Sequence, residues 1–335
     1  MNPVKLFLNG VKRQGTKITI LRAVRLVLCK FTVLTRSSYF IRKKYPGYAV
    51  RVINGSKMML DLKNDPGISR DLYIYSKREV DTTNYMLSDH LLQLGDVVLD
   101  IGSNIGYYSL LESRLVGQNG TVYSLEPVEK NFNILQKNVE LNRIANISCY
   151  KLAAGDKISR TSINVSMKGN WSSIGHINEA KWFEKIEEVP MVTVDKFLQG
   201  KRLPQLIRMD IEGYEYFVLK GMLSTLDSKP KLMIEIHPRF LTDKQLSEMF
   251  AILKEKNYDK VYVIDDTPER FLNSKAQIPW AVRKLTRIIG DWQESSGKPQ
   301  LMDLYSCLDF VMRKKALIHA IFLCSSKEKN SRGRA

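Results

Sequence analysis

Residues Leu99 to Gly106 read LDIGSNIG: Asp100 closes an apolar run, and Gly102 and Gly106 stand four apart with Asn104 between them. Glycines at such a turn let backbone approach a ligand closely, and the start of a helix offers free backbone N–H donors. The series is D-x-G-x-N-x-G, not the G-x-G-x-x-G that seats a pyrophosphate. A carboxylate at that mouth repels phosphate and suits a ligand carrying a sulfonium and an α-amino group. Twenty residues beyond Gly106, Glu126 ends the run SLEP. From that offset a carboxylate accepts hydrogen bonds from ribose hydroxyls. Turn and acid together describe an adenosine-containing donor.

Two later motifs carry reactive side chains. RMDIEGYE supplies Asp210, Glu212 and Glu215, and IEIHP supplies Glu235 and His237. An alcohol is a poor nucleophile until its proton is removed or its oxygen is held in line with the electrophile. Two designs meet that need. In one, His237 or a carboxylate is the general base. In the other, Asp210 and Glu235, with His237, ligate Mg²⁺ or Mn²⁺, which acidifies the hydroxyl. A plainer reading makes Glu212-Gly213 a helix cap, Glu215 a surface residue of the first turn, and His237 a loop residue fixed before Pro238. His90, His176 and His319 are assigned no chemistry. Trp171, in the polar stretch GNWSSIGHIN, suits either stacking on a sugar face or ordinary packing.

These residues need strand ends to hold them. From Asp96 onward short apolar runs (DVVLDI, TVYSLEP, ISCYKLA, LIRMDI, KLMIEI, KVYVID) alternate with amphipathic stretches, and CLDFVMRK is expected to close the series as a strand near residue 313. Such alternation predicts an α/β fold with a mostly parallel sheet and helices on both faces. Ligands bind such sheets beyond the carboxyl ends of the strands, where the unusual residues fall. Before this series, YAVRVINGSKMMLDLK predicts a hairpin around Asn54-Gly55, followed by helices near 68–79 and 82–93. The expected organisation is a basic helix and hairpin over 1–64, a catalytic domain over 65–315, and a basic, mobile tail over 316–335.

In this order, LDIGSNIGYYSLLESRLVG, SLEP, NVELN, LAAGD, RMDIEGYE and IEIHP resemble the FkbM family of S-adenosylmethionine-dependent methyltransferases. The likeness spans about residues 65–265. It implies a class I methyltransferase (Rossmann-like) fold with a seven-stranded sheet, and methyl transfer to a hydroxyl of a sugar-containing, lipid-linked or natural-product acceptor. By position it implies Asp100, Gly102, Asn104 and Gly106 at the methionine end of S-adenosylmethionine, Glu126 at its ribose, and Ala153 or Ala154 by the adenine.

Composition narrows the partners. The chain of 335 residues has a formal charge of +17, yet residues 1–60 hold thirteen Lys/Arg and no acid, while residues 61–270 hold 27 basic and 30 acidic residues. A nucleic-acid enzyme needs its basic residues on the active face, so a base- or ribose-methylating role is disfavoured, as is a non-catalytic donor-binding role, because the carboxylates stand intact at three strand ends. On a helical period, residues 17–36 group Ile20, Val24, Val27, Phe31 and Leu34 on one face with arginines opposite. That pattern suits a peripheral contact with anionic membrane or packing on the domain. The segment lacks the ~20 apolar residues of a span. Four widely spaced cysteines without a C-x-x-C fit reduced thiols in a cytoplasmic protein.

Overall fold

The computed structural model describes residues 47–88, 91–167, 171–175, 180–264, 299–314 and 317–325. The amphipathic segment 17–36, His90, His176 and residues 326–335 lie outside them.

The chain enters through the hairpin β1 (Tyr48–Ile53) and β2 (Ser56–Asp61). Asn54 and Gly55 take φ of 47° and 79°, the left-handed pair that an Asn-Gly turn supplies. Helices α1 (Ile68–Tyr75) and α2 (Val80–Met86) follow. The alternating series comes next: β3 (Val97–Ile101), α3 (Tyr107–Val116), β4 (Thr121–Leu125), α4 (Glu129–Leu141) and β5 (Ile147–Tyr150). A side sheet interrupts it, formed by β6 (Ala153–Ala154), β7 (Ser159–Ser166), β8 (Ser173–Ile174) and β9 (Phe183–Val192) in the order β6-β9-β7-β8. The series resumes with α5 (Val194–Phe197), β10 (Leu206–Met209), α6 (Glu215–Lys220), β11 (Lys231–Ile236), α7 (Asp243–Glu255) and β12 (Lys260–Ile264). It ends with β13 (Gln300–Asp303), α8 (Leu304–Lys314) and β14 (Ile318–Leu323).

Among the described residues the main sheet has eight strands in the order β13-β12-β14-β11-β10-β3-β4-β5. Neighbours from β5 to β11 pair in parallel, while β14 runs antiparallel between β11 and β12. Six strands therefore share one direction, and the insertion of a reversed strand before the last parallel one gives the class I methyltransferase fold. The expected seventh strand is joined by an eighth, because β13 pairs along the outer edge of β12.

Two other expectations are corrected. CLDFVMRK is helical: Leu304, Cys307 and Val311 are all buried, a helical spacing that turns one face to the core. The closing strand is instead IHAIFL, inside the stretch expected to be a mobile tail. Its apolar residues are buried on both faces, as a strand flanked by two others and covered on both sides must be.

Strand pleating sorts the sheet into two faces. Leu99, Ile101, Ile207, Met209, Ile234, Ile236, Ala320 and Phe322 belong to the principal core with residues of α5, α6, α7 and α8. The alternate positions Asp100, Arg208, Glu235 and His319 point to the opposite face. Register pairs them, Asp100 opposite Arg208 across β3 and β10, and Glu235 opposite His319 across β11 and β14, two residues further along.

Candidate active site

The turn after β3 is built around two close approaches. A Cβ on Gly102, whose φ is +84°, would lie 2.0 Å from the Asp210 carbonyl oxygen, so only glycine lets this turn lie against the end of β10. Gly106, φ +90°, begins α3 and would meet Leu135 of α4. Asn104 takes φ of 51°, a conformation asparagine tolerates better than most residues. The turn's amides are already engaged. Gly102 and Ser103 both donate to the Leu125 carbonyl, Asn104 donates to Glu126 Oε2, Ile105 to the Asn104 side chain, and Gly106 to the Ser103 carbonyl. Free donors were expected here; the turn spends them on itself instead. A pyrophosphate would find no open nest of N–H groups.

Asp100 also departs from expectation. Fully buried, it accepts from Ser109 Oγ at 2.5 Å and from Arg208 Nη1 at 3.0 Å. It lies outside the pocket lining, and its charge supports Arg208. Its pleat direction dictates this, since the pocket opens beyond the strand end and not on its covered face.

Gly102, Asn104 and Glu126 do line a pocket at the carboxyl ends of β3, β4 and β10. Leu125, Pro127 and Val128 form one wall, Leu152, Ala153 and Ala154 another, and Ile163 and Ile174 of the side sheet close it. The short alanines leave a slot between apolar walls, of a kind that takes a flat ring. Glu126 accepts from Asn104 N at 2.8 Å, Val128 N at 3.0 Å and Asn131 Nδ2 at 3.3 Å. Burial pushes its pKa up to about 7 despite these donors. Trp171 is half-buried and precedes Ser172–Ile174, which line the pocket, but is not itself in the lining.

On the far side Asp210, Ile211, Glu212 and Tyr214 enter the same pocket. Glu212 holds φ of 52° and Gly213 φ of 98°, a turn that costs a glutamate about 1 kcal/mol or more. That turn brings the Gly213 amide to Glu215 Oε1 at 2.9 Å, and the same oxygen meets His237 Nδ1 at 2.7 Å. His237 Nε2 makes no hydrogen bond. It faces Glu212 Oε2 at 3.4 Å and Glu235 Oε1 at 4.0 Å. Burial would lower the His237 pKa; the carboxylates of Glu212 and Glu215 outweigh it and raise the value to about 10. Glu215, expected on the surface under the plainer reading, is fully buried.

Behind this group lie further buried charges. Arg208 bonds Asp100 and Asp210 and stacks on the Tyr108 ring at 3.9 Å. Glu79, at the start of α2, accepts from Arg78 at 2.9 and 3.1 Å and from Tyr108 OH at 2.8 Å. His319 Nε2 lies 3.6 Å from Glu79 and 3.5 Å from Glu235. Burial raises the Asp210 pKa well above the usual carboxylate range, helped by Glu235, although Arg208 opposes it. For Glu235 the burial cost is overcome by His319, and its pKa falls to about 2.

The expected partners Asp210 and Glu235 interact directly, while the ligand atoms that converge most closely are those of Asp210 with Glu212 and His237, and of Glu235 with Glu79 and His319. Sequence reading assigned nothing to Arg208, Glu79 or His319. Two of them left a signal: Arg208 interrupts LIRM and His319 interrupts IHAIFL, each a charged or polar side chain inside a strand buried on both faces, where it needs a partner. Glu79 left none.

A family profile described as Methyltransferase FkbM domain matches residues 100–260, from the strand-end aspartate to the start of β12. The chain belongs to the FkbM methyltransferase family. Like its relatives, it is an S-adenosylmethionine-dependent methyltransferase. A probable cobalt-precorrin-6B C(15)-methyltransferase (decarboxylating) from Saccharolobus solfataricus is 30% identical over 146 residues, covering 41% of this chain and 73% of that protein. The hexuronic acid methyltransferase AglP of Haloferax volcanii is 27% identical over 177 residues, covering 50% of this chain and 70% of AglP. Among solved structures, M. jannaschii TYW2 in complex with AdoMet aligns over 84% of this chain and 88% of that one, with a TM-score of 0.40 and 11% identity. In this FkbM methyltransferase the profile takes in both the glycine turn and the Asp210–His237 group; α2 with Glu79 and β14 with His319 lie outside it.

Proposed function

We propose that this FkbM methyltransferase transfers a methyl group to a hydroxyl oxygen of a sugar-containing acceptor. The observation that carries the reading is the opening of the Asp210 and Glu212 carboxylates into the pocket that Glu126 and the glycine turn begin, with His237 directly behind them. S-adenosylmethionine supplies an electrophilic methyl on a sulfonium, and the electrons of the broken S–C bond stay with sulfur. The chain's own residues do the remaining work. Gly102 and Asn104 leave room for the methionine end, Glu126 accepts from the ribose hydroxyls, and Ala153 flanks the adenine. The proton lost as the acceptor oxygen forms its bond to carbon passes by the Asp210 and Glu212 carboxylates at the pocket edge to water. Arg208 and His237 hold the Asp210 and Glu212 carboxylates in place. Sugar as acceptor class draws on the likeness to AglP, a hexuronic acid methyltransferase.

The test is incubation of the full chain with labelled S-adenosylmethionine and a panel of free and nucleotide-linked hexoses and hexuronic acids. Mass spectrometry reads the gain of one methylene unit, and ¹³C NMR reads the atom that receives it. A methoxy signal supports the reading. A methyl on carbon, as the reaction of the Saccharolobus relative would give, or no transfer to any sugar, refutes it.

A further inference from the structure

From the carboxylates gathered around one imidazole, we infer that Asp210, Glu212 and His237 bind a single divalent cation, Mg²⁺ or Mn²⁺, at the edge of the donor pocket. The inference rests on the reading above and names the ion that assists it. Four carboxylates converge here: Asp210, Glu212, Glu215 and Glu235 all lie within contact range of His237 or of its neighbours. Against them stand the imidazole, His319 beside Glu235, and Arg208, which is already shared with Asp100. A divalent ion would offset more of this negative charge than one proton on His237 does.

The geometry fits an ion better than a hydrogen-bonded set. Glu215 anchors Nδ1 at 2.7 Å, the outer-sphere contact that fixes a ligating histidine with its other nitrogen turned to the metal. That other nitrogen, Nε2, has no hydrogen bond although the side chain is only 3% exposed. The three potential ligand atoms lie within 4.8 Å of one another, with Nε2 to Glu212 Oε2 at 3.4 Å. Octahedral ligands at about 2.1 Å from an ion stand about 3 Å apart when adjacent and about 4 Å when opposite, so closure needs shifts of roughly half an ångström. Two carboxylates and one imidazole suit a hard ion, with the nitrogen favouring Mn²⁺. The second cluster is a weaker candidate, because Glu79 already spends both oxygens on Arg78 and Tyr108. At the pocket edge such an ion polarises the acceptor hydroxyl, and the proton leaves to water.

Mn²⁺ titration of the full chain, followed by the loss of the free-ion electron paramagnetic resonance signal, tests this without a donor or acceptor present. One ion per chain is expected. Glu212→Gln and Asp210→Asn should each weaken binding by about tenfold or more, while Glu79→Gln changes it less than about twofold by the same reasoning. Calorimetry with S-adenosylhomocysteine shows whether each variant keeps a folded pocket. If the free-ion signal persists in wild type while S-adenosylhomocysteine binds, the ion site is wrong and methyl transfer stands. If binding follows Glu79 and ignores Asp210 and Glu212, the inference is likewise overturned. Wild type that binds Mn²⁺ at these residues but not S-adenosylhomocysteine retains the ion and sinks the functional reading.

Discussion

Glu126 is 4% exposed and shares its two oxygens among the amides of Asn104 and Val128 and the side chain of Asn131. Burial still lifts its pKa from 4.5 to about 7. The folded chain then holds the proton where the unfolded chain has released it, so stability present at low pH is lost as pH rises through this window. The shift is worth about 3 kcal/mol when complete. Glu126→Gln leaves one buried N–H facing its own NH2 at every pH, but its stability relative to wild type should improve from pH 4 to pH 8 by at most about 3 kcal/mol. Thermal unfolding at the two pH values reads this, and a difference that stays constant with pH contradicts it. The same variant should bind S-adenosylhomocysteine about tenfold more weakly, since hydrogen bonds to a charged acceptor contribute about 1.5–3 kcal/mol.

The glycine turn and the end of β10 are one unit at the scale of elements, because the Gly102 Cα hydrogens point at the Asp210 carbonyl. Gly102→Ala must adopt a positive φ and also push β10 away, at a cost of about 2 kcal/mol or more. Both the donor side and the acceptor side of the pocket should move. Chemical denaturation and S-adenosylhomocysteine affinity measured together check this, and a variant with wild-type values of both would show that the two ends are not coupled. Such coupling also explains what the sequence disclosed. The strand-helix alternation and the motifs at strand ends were legible because each depends on local spacing. The β-hairpin was legible for the same reason, through Asn54-Gly55. Arg208 and Asp100 become partners only through register between strands 108 residues apart, and Glu79 joins them from a helix with no local mark. For Asp100, spacing located a residue at a strand end without saying which way its side chain points.

For the whole molecule the decisive strand is β14. It lies between β11 and β12 and pairs with both, and His319 on it contacts Glu235 and Glu79. Ending the chain before residue 317 would strip the pairing groups from two strands and uncover the buried Phe322 and Ile321. That truncation should abolish cooperative unfolding and recover as insoluble protein, whereas a chain ending after Ser325 should keep the wild-type sheet. Circular dichroism with a solubility assay separates these outcomes; a folded, soluble protein lacking β14 would contradict the sheet order. Timing follows as well. β14 is translated last among the described strands, so through most of its synthesis a nascent chain carries two bare strand edges with apolar flanks. Until β14 emerges, neighbouring polypeptides can zip onto the gap, and expression in the cell should respond to holdase chaperones more than the folded protein's stability would suggest.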